Sequence, residues 1–449
     1  MPDLPLLPHA RCQEIFDAAR RCSAADEIEV MLTAGRQALT RFANNVIHQN
    51  VEEETAALSV RVVVDHKTAR ATTNRFDTES IRRVVEEATA LARVQSPDAD
   101  LPPMAEPGPV PVVDRFDAGT AETTPASRAE AVGRAVRVAE HHSLTAAGIF
   151  ATGGSVEAIL NSRGLFVYHP QSRAEASITM MGADSSGWAK AGGIRTAEID
   201  LEQLAARAAS KAVLSRAPIT LHPGVYPVVL EPAAVLDLLG FLVYDFSATA
   251  IGDQRSFLTG RLGQKLFGEN ITVRDDVCHP LQSGAGFDGE GVGRRPLTLI
   301  ERGVAREVAY CRQAAHAAGR EPTGHGFPLP NEFGEAPLNI VVAGGEASLD
   351  QMIRSTGRGV LVTRLWYIRE VDPYEKILTG MTRDGTFLIE HGEVRAGLRN
   401  FRFNQSMIEL LNSVEMLSPA GRASGEEAFD MVTPAMKAGG FHFTELTKF

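Results

Sequence analysis

Residues 274–326 read RDDVCHPLQSGAGFDGEGVGRRPLTLIERGVAREVAYCRQAAHAAGREPTGHG. The way glycine turns alternate with short apolar runs here decides the fold class. Paired acids, Asp275 and Asp276, open the stretch. A glycine-punctuated acidic turn follows, Phe287-Asp288-Gly289-Glu290-Gly291, where the backbone must take conformations that residues with a Cβ avoid. Pro296 to Glu301 alternates as a strand, Arg302-Gly303 turns the chain, and Val304 to Tyr310 reads as a second strand. Thr323-Gly324 supplies one more turn. This is hairpin grammar, and it predicts an antiparallel, strand-rich domain.

Working outward, the chain from Pro218 onward repeats that grammar. Tyr226–Leu230 predicts a strand ending in Glu231-Pro232. A helix over Ala233–Ser247 follows, carrying Val235, Leu238, Leu239, Leu242 and Val243. Ile271–Asp275, Leu338–Ala343, Gly359–Ile368, Thr386–Glu390 and Glu393–Leu398 read as strands, with short helices at Ser348–Ile353 and Phe403–Leu411. Strands spaced this closely suggest one large, partly closed antiparallel sheet. Upstream, the pattern is helix then meander, twice. Residues 10–22 and 78–91 are helical, the second with Ile81, Val84, Val85, Ala88 and Leu91 on one face and an Asp77 or Thr78 cap. Strands are expected at Glu27–Thr33, Ala38–Ala43, Val46–Asn50, Ala57–Val64 and Thr68–Thr73. The second unit has a helix over Pro125–His142 and strands at Ile149–Leu160, Leu165–His169, Ala174–Met181 and Gly187–Ile194. Asn161-Ser162-Arg163-Gly164 is a hairpin signal, and Asp200 caps a helix over Leu201–Ser215. The proline-rich, acidic residues 96–112 read as an extended surface crossing. The expected fold is therefore α+β: an N-terminal helix-and-antiparallel-meander domain, residues 1–216, followed by a β-rich, barrel-like domain, residues 217–449.

Composition narrows the function. A length of 449 residues is too great for one ordinary core. A formal charge of −11 disfavours a nucleic-acid or anionic-membrane partner, which would want a basic face. No run approaches the ~20 apolar residues of a membrane span, and the start lacks a basic region followed by an apolar one, so no signal peptide is expected. Four cysteines, Cys12, Cys22, Cys278 and Cys311, do not make a disulfide framework and fit a reducing cytoplasm.

Few residues form a recognisable catalytic pattern. None of the 12 histidines has a partner three to five positions away, so no single helix offers the two-histidine face of a hydrolytic zinc site. Asp275, Asp276, Asp288 and Glu290 could hold an oxygen-seeking cation, or could cap turns and pair with Arg294 and Arg295; the structural use is the expectation. Gly284-Ala285-Gly286-Phe287-Asp288-Gly289 matches a dinucleotide fingerprint but leads into no helix. Ala183-Asp184-Ser185-Ser186-Gly187 lies in a hairpin without a nucleophile elbow. Thr363 to Asp372 and Thr379 to Glu390 alternate around Trp366 and Tyr367, and such a sheet could accept an extended peptide as an added strand. The candidate groove residues are Asp288, Glu290, Arg294, His325, Trp366, Tyr367, Arg383 and Asp384.

The DGEG turn, the following strand, the E-x-G turn, the second strand and the TG turn together resemble the C-terminal domain of the TldD/PmbA family, peptidase-associated proteins once called modulators of DNA gyrase. The Trp366 run is similar to that domain too, and Phe42 to Asn50 is similar to the family's N-terminal domain. The resemblance implies dimers enclosing a chamber for extended or unfolded peptides. It also implies, in active members, an H-E-x-x-x-H zinc helix after a strand and a late cysteine ligand. At the matching places this chain has Leu238, Leu239, Gly240 and Phe241, and Asn400 to Ser406 without a cysteine. The resemblance therefore implies the TldE type: no metal and no catalytic residue in this chain, with zinc carried by a TldD-like partner subunit. A stand-alone amide hydrolase and a peptide-binding regulator remain open alternatives.

Overall fold

The computed structural model describes residues 7–447. In the N-terminal half, helix α1 (His9–Cys22) precedes strands β1 (Glu27–Ala43), β2 (Val46–Val64) and β3 (Lys67–Thr73), then helix α2 (Thr78–Val94). A single turn, α3 (Ala118–Ala121), and helix α4 (Pro125–His141) lead to β4 (Thr145–Asn161), β5 (Phe166–Met181), β6 (Ser186–Gly193) and helix α5 (Leu201–Leu214). The strands make one six-stranded antiparallel sheet in the order β3-β2-β1-β4-β5-β6. Asp77, Thr124 and Asp200 each accept from a first-turn N–H of α2, α4 and α5, as their side chains suit them to do.

The meander is longer than its sequence suggests. Two predicted strands merge into β1, two into β2 and two into β5. The run Val51 to Thr55, between two predicted strands, looks like loop because both of its faces are exposed, yet it pairs along β1 throughout. A shift of register between Arg41 and Phe42 takes up the irregularity.

Strand alternation gives this sheet two unlike faces. Val30, Leu32, Leu58, Val60, Val62, Ala158 and Leu160 pack with α1 and α2. Phe42, Phe150, Ala176 and Ile178 point the same way and pack with α4 and α5. The opposite face carries Glu29, Arg61, Glu157, Arg173 and Glu175, one step away in each strand, and the C-terminal half lies against it.

That second half begins with β7 (Gly224–Leu230) and helix α6 (Pro232–Val243), then β8 (Val273–Asp275), β9 (Leu297–Glu301), β10 (Val304–Ala305) and β11 (Ile340–Val342). After these come β12 (Arg358–Asp372), β13 (Ile377–Glu390), β14 (Glu393–Gly397), β15 (Phe401–Ser406), β16 (Val414–Leu417), β17 (Gly421–Ala423), β18 (Met431–Thr433) and β19 (Met436–Leu446). The expected single antiparallel sheet is two sheets. One runs β10-β9-β8-β11-β18-β17. In the other, β12-β7-β19-β15-β13 closes on itself because β13 also pairs with β12, so the barrel-like expectation holds. Two pairings are parallel, β7–β12 and β11–β18, since the chain between them leaves the sheet and returns from the same end. Helix α6 is apolar almost all round and is buried accordingly, in a core that includes Phe401, Phe403, Phe441 and Phe443.

Other boundaries shift for visible reasons. The predicted helix at Phe403–Leu411 is strand β15, whose Phe401, Phe403 and Gln405 alternate inward, followed by a helix Met407–Asn412 capped by Ser406. The predicted strand Val304–Tyr310 stops at Ala305, and Tyr310 instead donates its N–H to Thr323. Of the two turn glycines, Gly291 has φ +79 and a Cβ there would lie 2.3 Å from Leu165 Cδ2. Gly291→Val should therefore cost about 1–3 kcal/mol of stability, read as a lowered melting temperature. Melting like the wild type would show that the turn is not under this constraint.

Candidate functional site

The charged face of the first sheet is held by a buried network. Glu29 accepts from Arg61 Nε at 3.1 Å and Nη2 at 3.0 Å and from Arg70 Nη2 at 2.7 Å. Arg70 Nε also donates to the Leu329 carbonyl at 2.7 Å, joining the two halves. Burial pushes the Glu29 carboxyl up, but the two guanidiniums outweigh it and leave it below the ordinary range.

Against this face sits the DGEG turn. Asp288 is a turn organiser: one oxygen accepts from Glu290 N and Val292 N, both at 2.9 Å, and the other from Gly326 N at 2.7 Å. Glu290 accepts from Arg312 N at 2.9 Å, while its other oxygen is buried with no partner. Burial, then repulsion from Asp288, pushes Glu290 up to about 8, and burial raises Asp288 as well. His325, fully buried, touches Thr323 Oγ1 through Nδ1 and Asp275 Oδ1 through Nε2, both at 3.0 Å. Burial raises Asp275, but His325 and then Arg294 more than offset it, so its carboxyl lies below the ordinary range. The expected pairing of these acids with Arg294 and Arg295 is not found among the described residues: Arg294 bonds the Phe287 carbonyl through Nε, and Arg295 is exposed and meets Glu307 at 3.3 Å.

The raised Glu290 has a consequence for stability. The folded chain holds a proton there that the unfolded chain, with an ordinary value of 4.5, releases. Between about pH 4.5 and 8 its contribution makes stability fall as pH rises, and the loss levels off above about 8. Glu290→Gln should flatten that fall in urea unfolding compared across the window. An unchanged slope would mean that Glu290 is ionised in the folded protein.

The second group of candidates gathers elsewhere, around a residue the sequence reading passed over. Arg364 is 6% exposed. It pairs with Asp384, and its guanidinium lies 4.7 Å from the Trp188 ring and 5.4 Å from the Trp366 ring. Arg383 covers the other side of the Trp366 neighbourhood at 5.0 Å. The chain's two tryptophans, one from β6 and one from β12, thus meet through one cation. Tyr367 is exposed, with φ +59, and its N–H donates to Glu427 at 2.7 Å.

Glu427 belongs to a segment absent from the sequence reading, the connection from Ser424 to Asp430 between β17 and β18. It wedges between the halves. Lys190 donates to the Gly425 carbonyl at 2.8 Å and Ser177 to Glu426 at 3.1 Å on one side, and Glu427 N donates to Asp237 of α6 at 3.1 Å on the other. Asp237 is 0% exposed, and burial pushes its carboxyl up to about 7. Ala428 lies over Gly240: a Cβ on that glycine would come 2.4 Å from the alanine's own.

Between the charged face, the DGEG turn and this segment is a cavity of about 530 Å³. Asp288 and Arg294 line it, as do Glu157, Arg173, Lys190 and the loop residues Ser283 to Ala285. The other six groove candidates do not. Glu157, raised by burial, lies on a strand whose alternation was legible, but nothing in the sequence said what its face would meet.

The residues do not fit a metal site. No group of three or more His, Cys, Asp or Glu among the described residues is placed to hold an ion. Leu238, Leu239 and Gly240 are buried in the core, where α6 would have to present ligands. Of the candidate oxygen set, Asp288 and Glu290 share the DGEG turn while Asp275 ends β8 with Asp276 after it, and they are not placed together to hold an ion among the described residues.

Comparison with known proteins follows the same division of the chain. Family profiles match residues 28–92 (PmbA/TldA metallopeptidase domain 1), 121–216 (the central domain) and 223–445 (the C-terminal domain). Metalloprotease PmbA of Escherichia coli is 24% identical over 434 residues, with 92% of each chain covered. A metalloprotease of Methanothermobacter thermautotrophicus is 26% identical over 303 residues, covering 61% of this chain; the chain spans 64% of that relative's length. The crystal structure of TldE from Thermococcus kodakarensis superposes with a TM-score of 0.87 at 23% identity, covering 96% of this chain and 99% of that one. With all three domain profiles in order along it, this chain belongs to the PmbA/TldD metallopeptidase family.

Proposed function

We propose that this chain is a non-catalytic, TldE-like subunit that shapes a chamber for extended or unfolded peptides, while a TldD-like partner, or a second subunit in a dimer, completes the peptidase. The observation that carries this reading is α6, which follows β7 where a zinc helix would stand yet offers Leu238, Leu239 and Gly240, packed into the core. The zinc and its Lewis-acid chemistry would be the partner's. This chain's part is to bind and orient. The inter-domain cavity gives a charged, partly enclosed wall. Beyond Val362, β12 has β13 on one side and leaves its other edge to Glu427, so a peptide strand could compete for that edge. The acidic charge fits a protein that handles peptides in a reducing cytoplasm, without nucleic acid or membrane.

The test is co-expression with a TldD-like relative carrying H-E-x-x-x-H, followed by co-purification and a peptide-cleavage assay. Cleavage by the complex, with none by this chain alone, is expected. Cleavage by this chain alone would overturn the reading.

A further inference from the structure

We infer that the cavity between the two halves is a carboxylate-binding site, with the Arg294 guanidinium and the backbone N–H groups of Gly284 and Ala285 as its donors. The inference rests on the peptide reading above and narrows it to peptides that present a carboxylate.

The cations lining the cavity are not equivalent. Arg173 and Lys190 both reach Glu175, at 2.7 and 3.0 Å, and Arg422 reaches Glu198 at 3.5 Å. Arg294 alone among them has no carboxylate oxygen within 4.0 Å among the described residues. Its Nε makes a 3.3 Å bond to the Phe287 carbonyl, and its Nη1 is buried with no acceptor. No hydrogen bond among the described residues takes its Nη2, so a guanidinium that lines the cavity with no carboxylate partner keeps a donor for a ligand there.

The neighbouring acids do not fill that need. Asp288 spends both oxygens on the N–H groups of Glu290, Val292 and Gly326. Asp275 accepts from Asn339 N through Oδ2, and its Oδ1 lies 3.0 Å from His325 Nε2 and makes no contact within 4.0 Å with Arg294. Glu157 lines the cavity but forms no ion pair with Arg294, and burial already disfavours its charged form.

The loop beside Arg294 supplies further donors. Gly284 has φ +92, and no hydrogen bond within the described chain takes the N–H of Gly284 or Ala285. Successive backbone N–H groups without acceptors are donors that an anion can take. Both residues line the cavity, and the nearest atom to a Gly284 Cβ would be 3.6 Å away, so the loop leaves room in front of it. A planar carboxylate can take a guanidinium on one edge and N–H groups on the other. The cavity of about 530 Å³ has space for the end of a peptide.

The carboxylate could be the α-carboxylate of a chain end or an acidic side chain. Fluorescence anisotropy with the full chain separates these, using one unstructured, neutral-side-chain peptide in three forms: free acid, C-terminal amide, and amide with a glutamate as its last residue. The free acid should bind at least about tenfold more tightly than the plain amide, the scale of charge-assisted hydrogen bonds. Arg294→Gln should erase that preference. If the glutamate amide matches the free acid, the site reads side chains as well as ends. Equal binding of acid and plain amide by the wild-type protein, which needs no variant to fold, would overturn the carboxylate site and leave the peptide reading standing. Failure of every form to bind would overturn the peptide reading itself.

Discussion

Arg61→Ala is expected to lower the free energy of unfolding by about 3–5 kcal/mol, the scale for removing one partner of a buried ion pair. Arg61 and Glu29 are 2% and 1% exposed, and the guanidinium grips both carboxylate oxygens. Its loss would leave Glu29 with Arg70 alone, inside protein and largely out of water. It would also remove a cation that faces Glu290 and open a void the size of the side chain. The sign with pH follows from Glu29, whose folded carboxyl lies below its unfolded value of 4.5. Its contribution is present above that value and fades as acid protonates it, so the variant's deficit should be largest near neutrality and shrink in acid. The double replacement Glu29→Gln with Arg61→Met should recover only part of the loss, because it leaves the largely buried Arg70 without its carboxylate partner. Urea unfolding of the single and double variants reads all of this. A deficit below about 1 kcal/mol, the range of exposed pairs, would mean that the network is solvated.

Arg61 also marks the limit of what the sequence discloses. Its strand was legible from Leu58, Val60 and Val62, and so was the fact that Arg61 points the other way. That the other face is internal was not legible, because burial of that face depends on the C-terminal half folding over it. The glycine turn at Asp288–Gly291 could be read locally, since a left-handed backbone needs glycine, and α6 could be read from its apolar run. By contrast, β16 to β18 and the wedge at Ser424–Asp430 are short elements between turn-forming residues and carry no periodicity long enough to register. The meeting of Trp188, Arg364 and Trp366 is a tertiary event between two sheets. Of the eight residues named from sequence, Asp288 and Arg294 reach the cavity from the locally specified loop, while Glu290 of the same loop turns to Arg312 N instead. Tyr367 and Asp384 hold strained left-handed backbone, φ +59 and +51, but around Arg364 rather than in the cavity.

After incubation with zinc and desalting, the purified chain is expected to retain far less than one equivalent of the metal. A hydrolytic zinc needs about three rigid protein ligands and one open position. On α6 the only ligand-type side chain is Asp237. Burial pushes it up to about 7, and it already takes the Glu427 N–H, so a metal would have to displace both a proton and a hydrogen bond. The Gly240 surface is filled by Ala428. His325 is committed to Asp275 and Thr323, and His279 Nδ1 accepts from Leu281 N at 3.2 Å. A thiol must ionise to bind zinc, and burial pushes Cys12 up to about 11 and Cys311 up to about 12. Cys278 is exposed but belongs to no group of three potential ligands among the described residues. Elemental analysis decides the matter. Retention of about one zinc per chain, lost on Cys278→Ala or His325→Ala, would mean that distant residues converge in solution and that this chain is itself a metalloenzyme. Helix α6 thus spends its buried face on core packing, and the wedge segment covers its Gly240 surface through Ala428.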